Sequence, residues 1–159
     1  MESVIRFATP SDMPRVLELI KELAIFEKEP DAVEVTEEML LDDGFDERPA
    51  FTCFVAETNG QVEGMALVYP RYSTWKGKVL HLEDLVVSQR MRGSGLGGKL
   101  LKCVVEFGKE LGVKRISWEV LDWNTPAIDF YEKRGATVMR DWHVVQLNEE
   151  GIKNYILNF

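Results

Sequence analysis

Apolar and polar positions follow several rhythms along this chain, and each predicts an element. Residues 4–7 form a short apolar run that closes at Ala8-Thr9-Pro10 and reads as a strand. Thr9-Pro10-Ser11-Asp12 has the pattern of a capping box with proline at the first helical position. Met13, Val16, Leu17, Ile20, Leu23 and Ala24 follow at helical spacing, so a helix is expected to about Phe26. Residues 36–42 read as a second short helix, broken by Asp43-Gly44. Strands are expected over 51–57 and 62–69, with Asn59-Gly60 between them as a hairpin turn. A further strand covers 79–87. The spacing predicts a long helix over 96–111, with Leu100, Leu101, Val104, Val105, Gly108 and Leu111 inward. Lys99, Lys102, Glu106 and Lys109 fall on its outer face. Residues 115–121 read as a strand, and Thr125-Pro126 caps a helix that runs to about Arg134 and ends at Gly135. Residues from 138 onward, 143–147 included, read as final strands. The order β-α-α-β-β-β-α-β-α-β-β places hairpins first and a β-α-β crossover later. The expected fold class is therefore α/β of the α+β kind: a mixed, mostly antiparallel sheet with helices on its faces, not a doubly wound parallel sheet.

Composition narrows what such a sheet is for. The 159 residues suit a single domain, 1–159, with no repeat, linker or low-complexity segment. No window approaches the ~18–20 apolar residues of a membrane span. The opening segment has neither the basic nor the apolar region of a secretory signal. Lys plus Arg number 19 and Asp plus Glu 27, a net charge of −8. That balance argues against a protein that holds nucleic-acid backbone, and it fits a soluble one that receives a cationic ligand. Cys53 and Cys103 stand far apart with no C-x-x-C, so they read as reduced thiols; no metal is implied, and a cytoplasmic location is expected.

The densest chemical signal runs from Arg90-Met91-Arg92-Gly93-Ser94-Gly95 into Leu96-Gly97-Gly98-Lys99. It follows a strand and opens a helix. Free N–H groups at a helix N-terminus form an anion site, small residues let a phosphate approach, and Arg90 and Arg92 add positive charge. A purely structural glycine turn is the alternative. Gly93-x-Gly95-x-x-Gly98 matches a dinucleotide fingerprint, and Gly93-x-x-x-x-Gly98-Lys99 is a near miss to a P-loop, with Leu100 where Ser or Thr belongs. Both motifs normally follow the first strand of a parallel sheet, whereas this loop follows the fourth strand.

Arg90-x-x-Gly93-x-Gly95 resembles the pyrophosphate-binding loop of the Gcn5-related N-acetyltransferase (GNAT) family, whose order of elements matches the whole chain. The block Trp123-Asn124-x-x-Ala127-x-x-Phe130-Tyr131-x-x-x-Gly135-Ala136 resembles that family's second motif. The resemblance implies the GNAT fold with splayed central strands and acetyl-CoA as co-substrate. Leu85, Val86 and Val87 would then pair with the pantetheine amides, and the amides of Gly93, Ser94, Gly95, Leu96, Gly97 and Gly98 would hold the pyrophosphate. Asn124, Pro126, Ala127 and Tyr131 would complete the cofactor side.

Acetyl transfer to an amine raises two proton problems. An alkylamine with pKa about 10.4 arrives protonated, and the departing thiolate gains from a proton. Glu83, inside the apolar strand 79–87, is the candidate base or amine ligand. Simple alternation puts Glu83 with Leu85 on one face and Leu82, Asp84 and Val86 on the other, without saying which is wet. The family resemblance makes Tyr131 the general acid. His81 and His143 sit in no motif.

Further segments, Lys21-Glu22-Leu23-Ala24-x-Phe26-Glu27, Tyr72-Ser73-Thr74-Trp75-Lys76-Gly77-Lys78, Leu82-Glu83-Asp84 and Val120-Leu121-Asp122-Trp123-Asn124, resemble the diamine acetyltransferase branch of the family. That resemblance implies an acceptor site of Phe26, Glu27, Ser73, Trp75, Glu83, Glu119 and Trp142, suited to a flexible cationic amine by ion pairing and cation–π contact. It also implies a homodimer. Polyamine-acetylating members carry an aspartate where Ser73 stands, and thialysine-acetylating members carry Tyr-Ser-Thr-Trp-Lys-Gly as this chain does. A shorter acceptor bearing its own carboxylate is therefore expected. A protein lysine acetyltransferase and a non-catalytic acyl-CoA sensor are the rival readings.

Overall fold

The computed structural model describes residues 2–159. Its elements are β1 (Ser3–Phe7), α1 (Met13–Phe26), α2 (Glu37–Phe45), β2 (Thr52–Thr58), β3 (Gln61–Ser73), β4 (Gly77–Val87), α3 (Leu96–Leu111), β5 (Ile116–Ser117), α4 (Thr125–Glu132) and α5 (Glu149–Asn158). Two compact units divide at Glu119.

The unit 1–119 holds the sheet, in order β1-β2-β3-β4-β5. Every pairing is antiparallel except β4 with β5. Asn59 and Gly60 both take positive φ, 52° and 75°, which gives the twist-matched turn between β2 and β3. One face of the sheet packs Val55, Met65, Leu67 and Val86 against Met13, Val16 and Leu19 of α1 and Leu40 of α2. Helix α3 packs against β1 to β4 with Leu96, Leu100 and Val104 fully buried. Phe7, Phe54 and Phe107 stack beside it, with ring centroids 4.9 to 6.2 Å apart. Helix α2 does not stop at Asp43-Gly44 as expected. A side chain at Gly44 would lie 2.5 Å from the Phe51 ring, so this glycine makes room for packing instead of ending the helix.

Two bulges interrupt the antiparallel ladders. In β3, Gly64 pairs with Ala56 and Val62 with Glu57, leaving Glu63 as the extra residue. In β4, Asp84 pairs with Leu67 and Leu82 with Val68, leaving Glu83 as the extra residue. A bulge raises local twist and terminates pairing. The parallel ladder of β5 accordingly contains only Ile116 and Ser117, opposite Leu80 and His81, and does not continue beyond the bulge. The strand expected over 115–121 is thus cut to two residues, which pair with β4 just before its bulge.

In the unit 120–159, α4 begins one residue earlier than expected: Asn124 is the cap and accepts from the Ala127 N–H. Gly135 follows the helix with φ +88°. The strands expected from 138 onward are absent; residues 143–147 have no ladder partner and remain irregular. The tail is instead α5, capped by Asn148, whose side chain accepts from Gly151 N–H at 2.8 Å.

Candidate active site

The glycine loop hangs from β4. After Val87 a 3-10 turn, Gln89–Met91, leads to Gly93 and Gly95, whose φ angles are +79° and +87°. Side chains rarely adopt that conformation, and a Cβ at either position would meet no protein atom within 4 Å. Gly95 caps α3, and the first ladder bond of the helix is Lys99 N–H to the Gly95 carbonyl at 3.2 Å. The N–H groups of Leu96, Gly97 and Gly98 therefore precede the ladder and point out of the helix end. Ser94 Oγ donates to the Met91 carbonyl at 2.6 Å and stiffens the loop. The loop is tied to α1: Gln89 N–H donates to Glu22 at 2.7 Å, and the Arg92 guanidinium lies 4.9 Å over the Phe26 ring. This helix end has the donors, charge and open space that a pyrophosphate needs.

Arg90 departs from the expectation. Its guanidinium is engaged by the buried Glu63 carboxylate and by Gln61, so its charge is largely compensated. Leu85, Val86 and Val87 follow the bulge, where β4 has no ladder with β5. The backbone edge expected to receive amides is there left unpaired by β5.

The bulge also settles where Glu83 stands. Asp84 lies opposite Leu67 and His81 opposite Tyr69, on the face that packs toward α1. The simple alternation of Glu83 against Asp84 is broken, and both carboxylates reach the same neighbourhood. Glu83 is half-exposed and accepts from the Tyr69 hydroxyl at 2.8 Å. Burial and the Glu83 carboxylate push the Tyr69 hydroxyl up to about 12, so it stays a donor across the working pH range. His81 is buried, with Nδ1 3.0 Å from Ser117 Oγ and Nε2 3.6 Å from Glu83. Burial lowers its pKa against the opposing charges of Glu83 and Glu119, which favours the neutral ring. The charge of Glu119 is felt at both Tyr69 and His81. Burial raises the pKa of Glu27, at the end of α1. Burial first, then the charges of Glu83 and Glu27, pushes Asp84 up to about 6. Asp84 thus feels the charges of Glu83 and Glu27, while Tyr69 and His81 feel those of Glu83 and Glu119.

Sequence reasoning picked out three of these carboxylates and missed Asp84, although the motif Leu82-Glu83-Asp84 contains it. Tyr69 and Glu63 were also missed. A polar side chain in an otherwise apolar strand was the available signal for both.

Ser73 Oγ accepts from the N–H groups of Trp75 and Lys76 at 3.2 and 3.1 Å, forming the turn that leads to Gly77. Trp75 projects from that turn and is 77% exposed. In the second unit, Asn124 is held as a helix cap, Pro126 stands in the first turn of α4 with Ala127 next to it, and Tyr131 lies on the same helix. Trp142 is exposed in the irregular segment that follows. Burial pushes the Cys53 thiol up to about 12, so it is no nucleophile at neutral pH.

Comparison with known proteins gives the family and the fold. The sequence profile of the Acetyltransferase (GNAT) family matches residues 14–136. Thialysine N-epsilon-acetyltransferase of Bos taurus is 40% identical over 161 residues, covering 94% of this chain and 95% of that protein. L-ornithine N5-acetyltransferase of Arabidopsis thaliana is 29% identical, over 96% of this chain and 87% of that protein. Among solved structures, an integron cassette protein of Vibrio cholerae superimposes with a TM-score of 0.81 at 21% identity, over 98% of each chain. The chain belongs to the GNAT acetyltransferase family and is an acetyl-transferring enzyme of GNAT fold.

Proposed function

We propose that this enzyme moves acetyl from acetyl-CoA directly to the primary amine of a small cationic acceptor, of the thialysine, lysine or diamine kind. The observation that carries the reading is Glu83 on its bulge, held by Tyr69, with its charge and that of Glu27 felt at Asp84 and the charge of Glu119 felt at Tyr69. A cluster of carboxylates favours a cation. The curated relatives act on thialysine and ornithine by name, which are amino acids carrying a side-chain amine.

In this reading the amine gives a proton to Glu83, through water, and its nitrogen attacks the acetyl carbonyl. The C–N bond forms, the C–S bond breaks, and the thiolate takes a proton from Tyr131; the second proton that the nitrogen loses as it becomes an amide restores the Tyr131 phenol, and the proton on Glu83 passes to solvent. The loop amides from Gly93 to Gly98 hold the pyrophosphate, and the β4 edge at Leu85, Val86 and Val87 pairs with the pantetheine amides. We assign Phe26, Glu27, Ser73, Trp75, Glu119 and Trp142 to the acceptor by the family resemblance. The single-domain reading of 1–159 is part of the proposal, supported by a family match that runs across Glu119. So are a homodimer and a cytoplasmic location. No helix among the described residues is long and apolar enough to cross a membrane.

Acetyl-CoA consumption against thialysine, lysine, ornithine, putrescine, spermidine and a histone-like peptide tests the reading. Turnover is expected with the small amines and not with the peptide; peptide turnover alone would replace it by protein acetylation. Ser73→Asp is a clean variant, because an aspartate can accept the same two turn N–H groups. It is expected to raise spermidine turnover relative to thialysine, and an unchanged ratio would remove Ser73 from acceptor choice.

A further inference from the structure

Glu63 is the extra residue of the β3 bulge, and its side chain is only 5% exposed. Such a carboxylate needs partners, and those that hydrogen-bond it lie at the glycine loop's root. Its Oε2 accepts from Ser88 Oγ at 2.6 Å and from Arg90 Nε at 3.0 Å, while its Oε1 pairs with Arg90 Nη2. Its own backbone carbonyl accepts from Ser88 N–H at 2.7 Å. Arg90 Nη2 also donates to Gln61 at 2.7 Å. Behind the carboxylate, Arg15 Nη2 lies 3.9 Å away and Arg15 Nε donates to the Val62 carbonyl at 3.0 Å. The Arg90 guanidinium, with help from Ser88, holds the Glu63 carboxyl below the usual carboxylate range.

The segment from Ser88 to Arg90 joins β4 to the loop. Four hydrogen bonds to Glu63 fix it: one from a peptide, one from a hydroxyl and two from a guanidinium. The Nε/Nη2 edge of Arg90 is taken up by Glu63 and its second Nη2 hydrogen by Gln61, so no two-donor fork is left for a phosphate. We infer that Glu63 is a positioning residue for acetyl-CoA, and that Arg90 serves the pyrophosphate through the loop it anchors instead of by touching it. The inference rests on the reading of this loop as the pyrophosphate site.

Two accounts of Arg90 make opposite predictions for Glu63→Gln. If Arg90 were a phosphate ligand, removing its counter-charge would free it and CoA binding would tighten or hold. If Glu63 positions the loop, Glu63→Gln weakens CoA binding in calorimetry and raises the acetyl-CoA KM by about tenfold, a size ordinary for one charge-assisted hydrogen bond. kcat at saturating acetyl-CoA should stay within about twofold. Arg90→Gln should give the same loss, and the double variant no more than either alone, since they break one unit. Ser88→Ala, which leaves both charges in place, should also weaken binding and serves if Glu63→Gln fails to fold. Unchanged or tighter CoA binding in Glu63→Gln or Ser88→Ala, or additive losses in the double variant, overturns the inference. A wild-type chain that binds no CoA overturns the loop reading instead.

Discussion

At the scale of single residues, Asp84 offers the most specific test. Its carboxyl is raised from 3.8 to about 6, mainly by burial. The folded state thus favours the protonated form, so this group's contribution to stability is full below pH ~4 and is lost as pH rises through about 6. Asp84→Asn should flatten that part of the melting-temperature profile. A cationic acceptor favours the ionised form, so its affinity should rise as pH climbs through about 6, and calorimetry should show this slope vanish in Asp84→Asn. An unaltered slope would place Asp84 away from the acceptor. The pairing of Glu83 and Asp84 was not legible from spacing. Period-two alternation assigns them opposite faces, and one inserted residue in the ladder brings them together. Nothing local in Leu82-Glu83-Asp84 announces that insertion, because it is set by the register with β3.

At the scale of elements, the helix α3 and its loop were the easiest to read, since glycines and an amphipathic stripe mark both, although Val105 and Leu111, expected inward, are exposed because the buried stripe is narrower than the apolar one. The structure adds why Gly95 is needed: its positive φ is separate from the open space around it. Gly95→Asn divides the two, because asparagine tolerates the left-handed region. It should move the melting temperature only a few degrees, on the order of 1 kcal/mol, yet lower CoA affinity by tenfold or more. A full-affinity Gly95→Asn variant would mean that no phosphate approaches this turn. The C-terminal elements were misread. The β-branched residues near 143–147 suggest a strand, but a strand exists only with a partner and none pairs there. The helix α5 was legible in retrospect: Ile152, Tyr155, Ile156 and Phe159 stand at i, i+3, i+4 and i+7, behind an Asn148 cap.

At the scale of the whole molecule, the net charge of −8 acquires a local meaning. Part of the acid excess is gathered in Glu27, Glu83, Asp84 and Glu119, while Glu63 is neutralised internally by Arg90. Attraction for a cationic acceptor should therefore be screened by salt. The KM for a diamine should rise between 50 mM and about 500 mM salt, with kcat little altered. A salt-independent KM would mean that acceptor binding does not use these charges. The most direct test of the central claim is single-turnover transfer from labelled acetyl-CoA to thialysine or putrescine, followed by mass spectrometry of small molecule and protein together. The account predicts label on a primary amine nitrogen of the acceptor (for thialysine, that of the side chain), none on the protein at any time, and a rate lowered about 10²–10⁴-fold in Glu83→Gln. Label accumulating on the protein before the amine, or a Glu83→Gln rate equal to wild type, would contradict it.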